Sequence, residues 1–156
     1  MDTFKGFQIK GLHLDLKAQT LRFSAMCDIV RDAAGWGYNT ILLEYQDKFP
    51  FQGELATLAA PDALTEEEVQ EFVRLCHKLG VEIIPLVQSI GHMYYVLLHE
   101  EFAHLGEEKG AYAHMHALCP SNPDSFIFFT QMADQIMQLH PRSEEHTSEL
   151  QSPNTI

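Results

Sequence analysis

Residues 81–92, VEIIPLVQSIGH, limit the possible folds of this chain more strongly than any other stretch. The segment VEIIPLV, which includes Ile84, is almost entirely apolar, as is typical of a buried β-strand. The chain then continues directly into polar and small residues, among them Gln88, Gly91 and His92. Ligand sites of parallel α/β folds lie at the carboxyl ends of the strands. These residues therefore predict a buried strand that ends at a functional site.

Two earlier stretches show the same change from apolar to polar residues. Residues 7–16, FQIKGLHLDL, alternate leucines with small or polar residues and include Asp15 near the end. Residues 39–45, NTILLEY, form a short apolar run that contains Glu44 and is followed by Asp47. Because parallel strands end at the same edge of a sheet, we expect the three strand ends to share one site.

Amphipathic helices separate and follow the predicted strands. A Thr65–Glu68 capping box opens the second helix, and Pro123 occupies the first turn of the last one. We expect the last helix to bury Ile127, Met132, Ile136 and Leu139. The order βαβαβα implies parallel strands with right-handed crossovers, and no glycine-rich phosphate loop follows the first strand. The sequence thus predicts an α/β fold, a partial TIM (β/α)8 barrel made of its first three βα units; a complete barrel needs roughly 250 residues.

The charge balance excludes one class of partner. Acidic residues outnumber basic ones by 22 to 10, which gives a formal net charge of −12. A nucleic-acid-binding surface needs basic side chains to neutralise phosphates, so we expect no nucleic-acid partner. The first residues lack the apolar core of a signal peptide, and no apolar run approaches the ~20 residues of a membrane span. We therefore expect no membrane partner and a cytoplasmic location.

Neither a metal nor a cofactor is predicted. The three cysteines form no CxxC pair and are expected to be buried thiols. His13 and Asp15 form an HxD pattern, which is a weak sign of a metal site in a barrel hydrolase. A hydrogen-bonded histidine packed beside the barrel explains His13 as well.

Residues 142–156 differ in character from the rest of the chain. They are polar, lack hydrophobic periodicity and follow Pro141 directly. Residues 142–152, RSEEHTSELQS, also resemble the translation of a short-read sequencing adapter in one reading frame. We therefore expect residues 1–141 to be part of a natural domain and residues 142–156 to be a non-native, disordered tail.

Three segments, KGLHLDLK, LLEYQDKFPF and IIPLVQSIGHM, together resemble the family 20 glycoside hydrolases, the β-N-acetylhexosaminidases, and among them the hexosaminidase D type. The resemblance extends from about residue 7 to residue 141. It implies a TIM barrel that removes a terminal N-acetylhexosamine from a carbohydrate with retention of configuration. In this family the 2-acetamido oxygen of the substrate acts as the nucleophile. Residues 1–141 would be the N-terminal part of that catalytic domain.

The resemblance also implies roles for single residues. In the family, an adjacent Asp–Glu pair after the fourth strand orients the acetamido group and acts as general acid/base; this chain ends before that strand, so we expect it to be inactive by itself. His92 matches the histidine of a Gly–His motif, and Asp47 matches an acid after the second strand. The two would form a relay that supports the missing glutamate.

Four further residues are expected to contact the substrate: Asp15, Lys10, Glu44 and Gln88. Asp15 matches the aspartate of the family's first strand, and Glu44 lies where a carboxylate faces a cleft. Lys10 stands where other members have an arginine, but a lysine cannot give the same two-point grip on sugar hydroxyls.

One alternative from a different class stays open. The chain could be a complete small α/β binding or interaction domain without catalysis. A reading frame that continues into a strand ending in Asp–Glu would favour the glycosidase. Metal-dependent hydrolysis on a barrel is a weaker third hypothesis.

Overall fold

A computed structural model of the chain describes residues 6–17, 21–107 and 116–141. The strands are β1 (Gly11–Asp15), β2 (Thr40–Glu44) and β3 (Glu82–Leu86). The helices are α1 (Phe23–Gly35), α2 (Glu66–Lys78), α3 (Tyr94–Leu97) and α4 (Pro123–Gln138). Short 3-10 helices cover Gln46–Lys48, Gly53–Leu58 and Glu100–Leu105. None of the helices in these ranges has the length and apolar character needed to cross a membrane.

The three strands form one parallel sheet in the order β1-β2-β3. Asp15 lies opposite Glu44, and Glu44 lies opposite Leu86, so the carboxyl ends of the strands stand side by side. The predicted α/β fold of three βα units is confirmed. The strands are shorter than predicted, since β1 begins at Gly11 instead of near Phe7.

Side-chain caps fix the starts of α2 and α4 as the sequence predicts. The Thr65 hydroxyl accepts a hydrogen bond from the Glu68 backbone N–H at 3.1 Å, and the Thr65 N–H donates to the Glu68 carboxylate at 2.9 Å. Asn122 caps α4 by accepting from the N–H of Asp124, with Pro123 in the first turn. These bonds satisfy backbone donors that have no partner within the helix.

One face of the sheet packs against the helices and forms the core. Its strand residues are Leu14, Leu16, Ile41, Leu43 and Ile83, and its helical residues include Met26, Val30, Val69, Phe72 and Met132. Cys27 and Cys76 are buried free thiols, as predicted. Burial raises the pKa of the Cys76 thiol to about 12, so this sulfur stays protonated and packs as an apolar group.

The other face of the sheet, called the open face below, carries no helix among the described residues. Its side chains, which follow the two-residue alternation of the strands, are His13, Asp15, Leu42, Glu44, Ile84 and Leu86. Ile84 is 40% exposed, so the prediction that the third strand is buried on both faces is wrong for this residue. A run of apolar residues does not reveal whether its second face is covered within the same chain.

The buried side of α4 also differs from the prediction. Ile127 is 56% exposed, whereas Phe128, Met132 and Ile136 are buried. These three residues are each four positions apart and therefore lie along one stripe of the helix, from which Ile127 is displaced by about 100°. Residues 142–156, where a non-native tail is predicted, lie outside the described residues.

A buried hydrogen bond joins the end of β2 to the end of α4. The Tyr45 hydroxyl lies 3.0 Å from His140 Nε2, and both residues are 1% exposed. His140 Nδ1 lies 2.7 Å from the Ile136 carbonyl oxygen, which can only accept, so Nδ1 carries the proton and Nε2 accepts from Tyr45. Burial, the largest effect, holds the pKa of His140 below its usual value.

We expect acidification to destabilise the fold through His140. Because its folded-state pKa is lowered, the unfolded chain takes up the proton first, and stability is lost as the pH falls below the ordinary value of 6.5. The loss is at most about 1.4 kcal/mol per pH unit. Thermal or urea unfolding of the wild type and of His140→Gln at pH 7.5 and 5.5 measures it, and the wild type should lose more stability than the variant.

His104→Gln is the matched control, since His104 is 57% exposed. It should keep the acid sensitivity of the wild type. Equal losses on acidification in the wild type and in His140→Gln would contradict the prediction.

Candidate functional site

The carboxylate of Glu44, at the carboxyl end of β2, is the centre of a polar cluster. Its Oε1 accepts hydrogen bonds from Gln46 Nε2 at 2.8 Å and from Gln88 Nε2 at 2.7 Å. Its Oε2 lies 3.2 Å from His13 Nε2. The cluster therefore joins residues from β1, from the end of β2 and from the segment after β3. Side chains from three strands and their ends therefore meet in one polar cluster.

Opposing effects act on the ionisation of Glu44. Burial, the largest single effect, disfavours the charged form and raises the pKa. The hydrogen bonds from Gln46 and Gln88, with the attraction of His13, together outweigh it and hold the pKa of Glu44 below its ordinary value of 4.5. Glu44 is therefore ionised at neutral pH. Its two oxygens are hydrogen-bonded to His13, Gln46 and Gln88. In this arrangement Glu44 orients these three side chains and has less capacity to contact a ligand directly.

Gln46 is a member of this cluster that the sequence analysis missed. It is 4% exposed, and its Oε1 is the buried side-chain atom without a hydrogen-bond partner among the described residues. Its backbone has φ +49°, a left-handed conformation that costs a non-glycine residue about 1–3 kcal/mol. The alternation that places Leu42 and Glu44 on the open face could have indicated Gln46 as the next position.

Asp15 lies at the carboxyl end of β1, on the open face and exposed to solvent. Its Oδ1 accepts a hydrogen bond from the Lys17 backbone N–H at 2.8 Å, which shapes the turn that leaves the strand. The Lys17 ammonium lies 5.1 Å from the centre of the Tyr94 ring, so the exits of β1 and β3 are in contact.

Asp47 lies in the 3-10 helix after β2 and pairs with a buried lysine. Lys48 Nζ lies 3.4 Å from Asp47 Oδ2 and 2.6 Å from Asp62 Oδ1, and the Lys48 side chain is 6% exposed. Burial, the largest effect, lowers the pKa of Lys48, but the two carboxylates raise it by more. Lys48, which the sequence analysis also missed, thus ties both ends of the β2–α2 loop together.

His92 lies after β3 and is exposed. It has φ +58°; together with Gln46 it is one of two non-glycine residues with positive φ among the described residues, and both follow strand ends. No hydrogen bond or ion pair joins His92 to Asp47. The two residues of the predicted relay have no direct contact in this structure, where the Asp47 carboxylate pairs with Lys48.

Lys10 lies away from the polar cluster around Glu44. It precedes β1 at the opposite edge of the sheet, where its backbone N–H donates to Asn39 Oδ1 at 2.8 Å. Its ammonium lies near Gly37, in the turn between α1 and β2. The five residues of β1 separate it from the carboxyl end by roughly 16 Å. The predicted contact of Lys10 with a sugar therefore stays a prediction, and this structure does not bring its ammonium to the carboxyl ends of the strands.

His13 is hydrogen-bonded, as one reading of the HxD pattern expected, but on the open face of the sheet. Its partner is Glu44, 31 positions later in the sequence. Across the described ranges, no group of three or more His, Cys, Asp or Glu side chains is arranged to hold a metal ion.

We expect Glu44→Gln to destabilise the fold by about 1–3 kcal/mol at pH 7, because an amide has one acceptor oxygen where the carboxylate has two, so its NH2 group must face a donor of His13 or the donors of Gln46 and Gln88. The stabilisation given by a carboxylate with a lowered pKa is present above about pH 4.5 and is lost as the pH falls below that value. Urea unfolding at pH 7 and pH 4 should show a smaller difference between the wild type and the variant at the lower pH. Glu54→Gln, at an exposed position, is the control and should stay within about 0.5 kcal/mol of the wild type.

Known proteins that resemble the chain agree in sequence and in fold, although no family profile matches it. Human hexosaminidase D is 38% identical over 138 residues, which are 88% of this chain and 28% of that protein. Bovine hexosaminidase D is 39% identical over 130 residues, 83% of this chain and 37% of that protein. The chain thus spans only about a third of the length of these relatives.

Solved structures show the same fold. The chitobiase of Flavobacterium johnsoniae matches with a TM-score of 0.69 and 21% identity, over 84% of this chain and 22% of that one. The family 20 β-N-acetylhexosaminidase of Streptomyces coelicolor matches with a TM-score of 0.70 and 17% identity, over 85% and 31%. The sequence and fold comparisons agree: the chain is similar to the β-N-acetylhexosaminidases of glycoside hydrolase family 20 and has part of their TIM-barrel fold.

Proposed function

We propose that residues 1–141 are the N-terminal part of the catalytic barrel of a β-N-acetylhexosaminidase, and that residues 142–156 are a non-native tail. The whole protein would remove a terminal N-acetylhexosamine from a carbohydrate, with the 2-acetamido oxygen of the substrate as nucleophile. The observation that carries this proposal is the meeting of polar side chains from three parallel strand ends at one edge of the sheet.

The relatives support the proposed substrate class. Two curated relatives are named hexosaminidase D. A Streptomyces plicatus β-hexosaminidase variant that shares the fold, with a TM-score of 0.69, was solved with its product GlcNAc. A terminal N-acetylhexosamine is therefore the ligand that we assign to the site.

The chain by itself should not catalyse the reaction. Substrate-assisted hydrolysis needs one carboxylate to orient the acetamido group and one acid to protonate the leaving oxygen. The resemblance assigns these roles to an adjacent Asp–Glu pair after a fourth strand, and the described residues contain three strands. Glu66, Glu67 and Glu68 cannot replace the pair because they begin α2 in the helix layer.

The residues of this chain would build one side of the sugar site. We assign Asp15 and Gln88 to contacts with the sugar, and Glu44 to holding Gln88 in place at 2.7 Å. His92 and Asp47 would support the general acid through their charge and polarity, without a direct bond between them. The free thiols of the chain suit the reducing cytoplasm, where we propose that the protein acts.

A long sequencing read of the source DNA through codon 141 tests the proposal. We expect the reading frame to continue into a fourth strand that ends in Asp–Glu. The protein encoded by that longer frame should hydrolyse a 4-nitrophenyl N-acetyl-β-hexosaminide, and should do so equally well in EDTA. The 156-residue chain should be inactive. A natural frame that stops near residue 141 would instead favour the small binding domain, and loss of activity in EDTA with rescue by zinc would favour metal-dependent hydrolysis.

In that longer protein, we expect His92→Gln to lower kcat/KM by about tenfold or more, a part of the 10²–10⁴ that general acid–base catalysis contributes. The basic limb of the pH–rate profile should also shift, since the environment of the acid changes. His104→Gln should leave both unchanged. Full activity with an unchanged pH profile in the His92 variant would show that this residue is only structural.

A further inference from the structure

His13 belongs to the polar cluster around Glu44 but has no role in the proposed function. It lies on the open face of β1, two positions before Asp15. Its Nε2 is 3.2 Å from Glu44 Oε2, and its side chain is 46% exposed whereas that of Glu44 is 9% exposed. One nitrogen of the ring is therefore held by a buried group, and the rest of the ring reaches the solvent in front of the sheet.

The partner of His13 determines which nitrogen carries the proton. An ionised carboxylate can only accept hydrogen bonds, so the bond to Glu44 requires a proton on Nε2. In the neutral imidazole, Nδ1 then has a free lone pair and acts as an acceptor. No other described residue makes a hydrogen bond to His13.

Glu44 is itself held firmly enough to orient a neighbour. The amides of Gln46 and Gln88 fix Oε1 from two sides, which leaves Oε2 for His13. An imidazole oriented by a carboxylate is a common arrangement for groups that contact a substrate. Glu44 acts here as a positioning residue.

We propose that His13 is a substrate-binding residue whose Nδ1, oriented through Glu44, accepts a hydrogen bond from a hydroxyl or amide N–H of the bound hexosamine. This assignment rests on the proposed function and adds a residue to its site. Asp15 lies two positions along the same face, roughly 7 Å away along the strand, and has a carboxylate oxygen beyond the one that Lys17 engages. Two acceptors at this spacing suit two donors on one sugar ring.

The acceptor groups of this part of the site favour ligands that donate hydrogen bonds. An Nδ1 lone pair and the carboxylate oxygens of Asp15 are hydrogen-bond acceptors, and they repel carboxylates and carbonyl oxygens. This part of the site therefore selects donor groups, and an acidic sugar with a carboxylate at this place should bind more weakly than a neutral hexosamine.

The proton position is measured first, without any ligand. Long-range ¹H–¹⁵N correlation spectra of the 156-residue chain at pH 7.5 distinguish the two tautomers, and the His13→Phe variant identifies the His13 signals. We expect protonated Nε2 and unprotonated Nδ1. Glu44→Gln should convert the ring to a mixture of tautomers, and Glu54→Gln should not. A proton on Nδ1, or an equal mixture in the wild type, would overturn the proposal.

Titration of the protein encoded by the longer frame with N-acetylglucosamine then tests the contact. We expect the His13 Nδ1 signal to shift and saturate, and the dissociation constant to rise about tenfold or more in His13→Phe, as for the loss of one buried hydrogen bond. His104 should not shift. If backbone signals after β3 shift while His13 Nδ1 does not, the contact is wrong and the proposed function stands. If no signal of the longer protein responds to the sugar, the contact and the carbohydrate site both fail.

Discussion

The carboxylate of Glu44 is the group on which the arrangement of the strand ends depends. A buried charge is stable only where hydrogen-bond donors replace the water that it has lost. Here these donors come from β1, from the second residue after β2 and from the segment after β3. A change in the register of either neighbouring strand would remove at least one donor, so the burial of this charge and the pairing of the sheet support each other.

The segment after β2 is fixed on both sides of this cluster. Tyr45 points away from the open face and is hydrogen-bonded to His140 near the end of α4. Lys48, three residues later, is held between two carboxylates at the base of the β2–α2 loop. Gln46, between these anchors, keeps its left-handed backbone because its neighbours cannot move to release it. Strain of this kind is maintained by packing and is often found at functional sites.

Local sequence patterns were sufficient to predict the helices and strands, but not to predict which of their faces are buried. The capping box at Thr65 and the parallel strands were predictable because alternation and capping are short-range signals. The exposure of Ile84 and Ile127 was not predictable, because the burial of a side chain depends on which other helices or strands cover its face. The direction of the Lys10 side chain was not predictable for a similar reason: a matching residue type does not tell that its ammonium extends toward Gly37.

The candidate site was predictable as a location and only partly as a set of contacts. The polar residues at three strand ends indicated where the site would form. The partners of Glu44 are 31 and 44 positions away along the chain, so no local pattern could identify His13 or Gln88 as its donors. The same holds for Asp47, whose pairing with Lys48 depends on the path of a long loop.

The sheet has one further property that follows from its pairing. Within the described residues, β1 and β3 each pair with β2 alone, which leaves a row of backbone N–H and C=O groups along each outer edge. A new parallel strand that joins β3 in register would bring its own last residues beside Gln88, on the face where Glu44 and His13 lie. The backbone groups along the outer edge of β3 therefore set the register of an added strand. Through this register, hydrogen bonds to the backbone alone would place a side chain of the added strand beside the polar cluster.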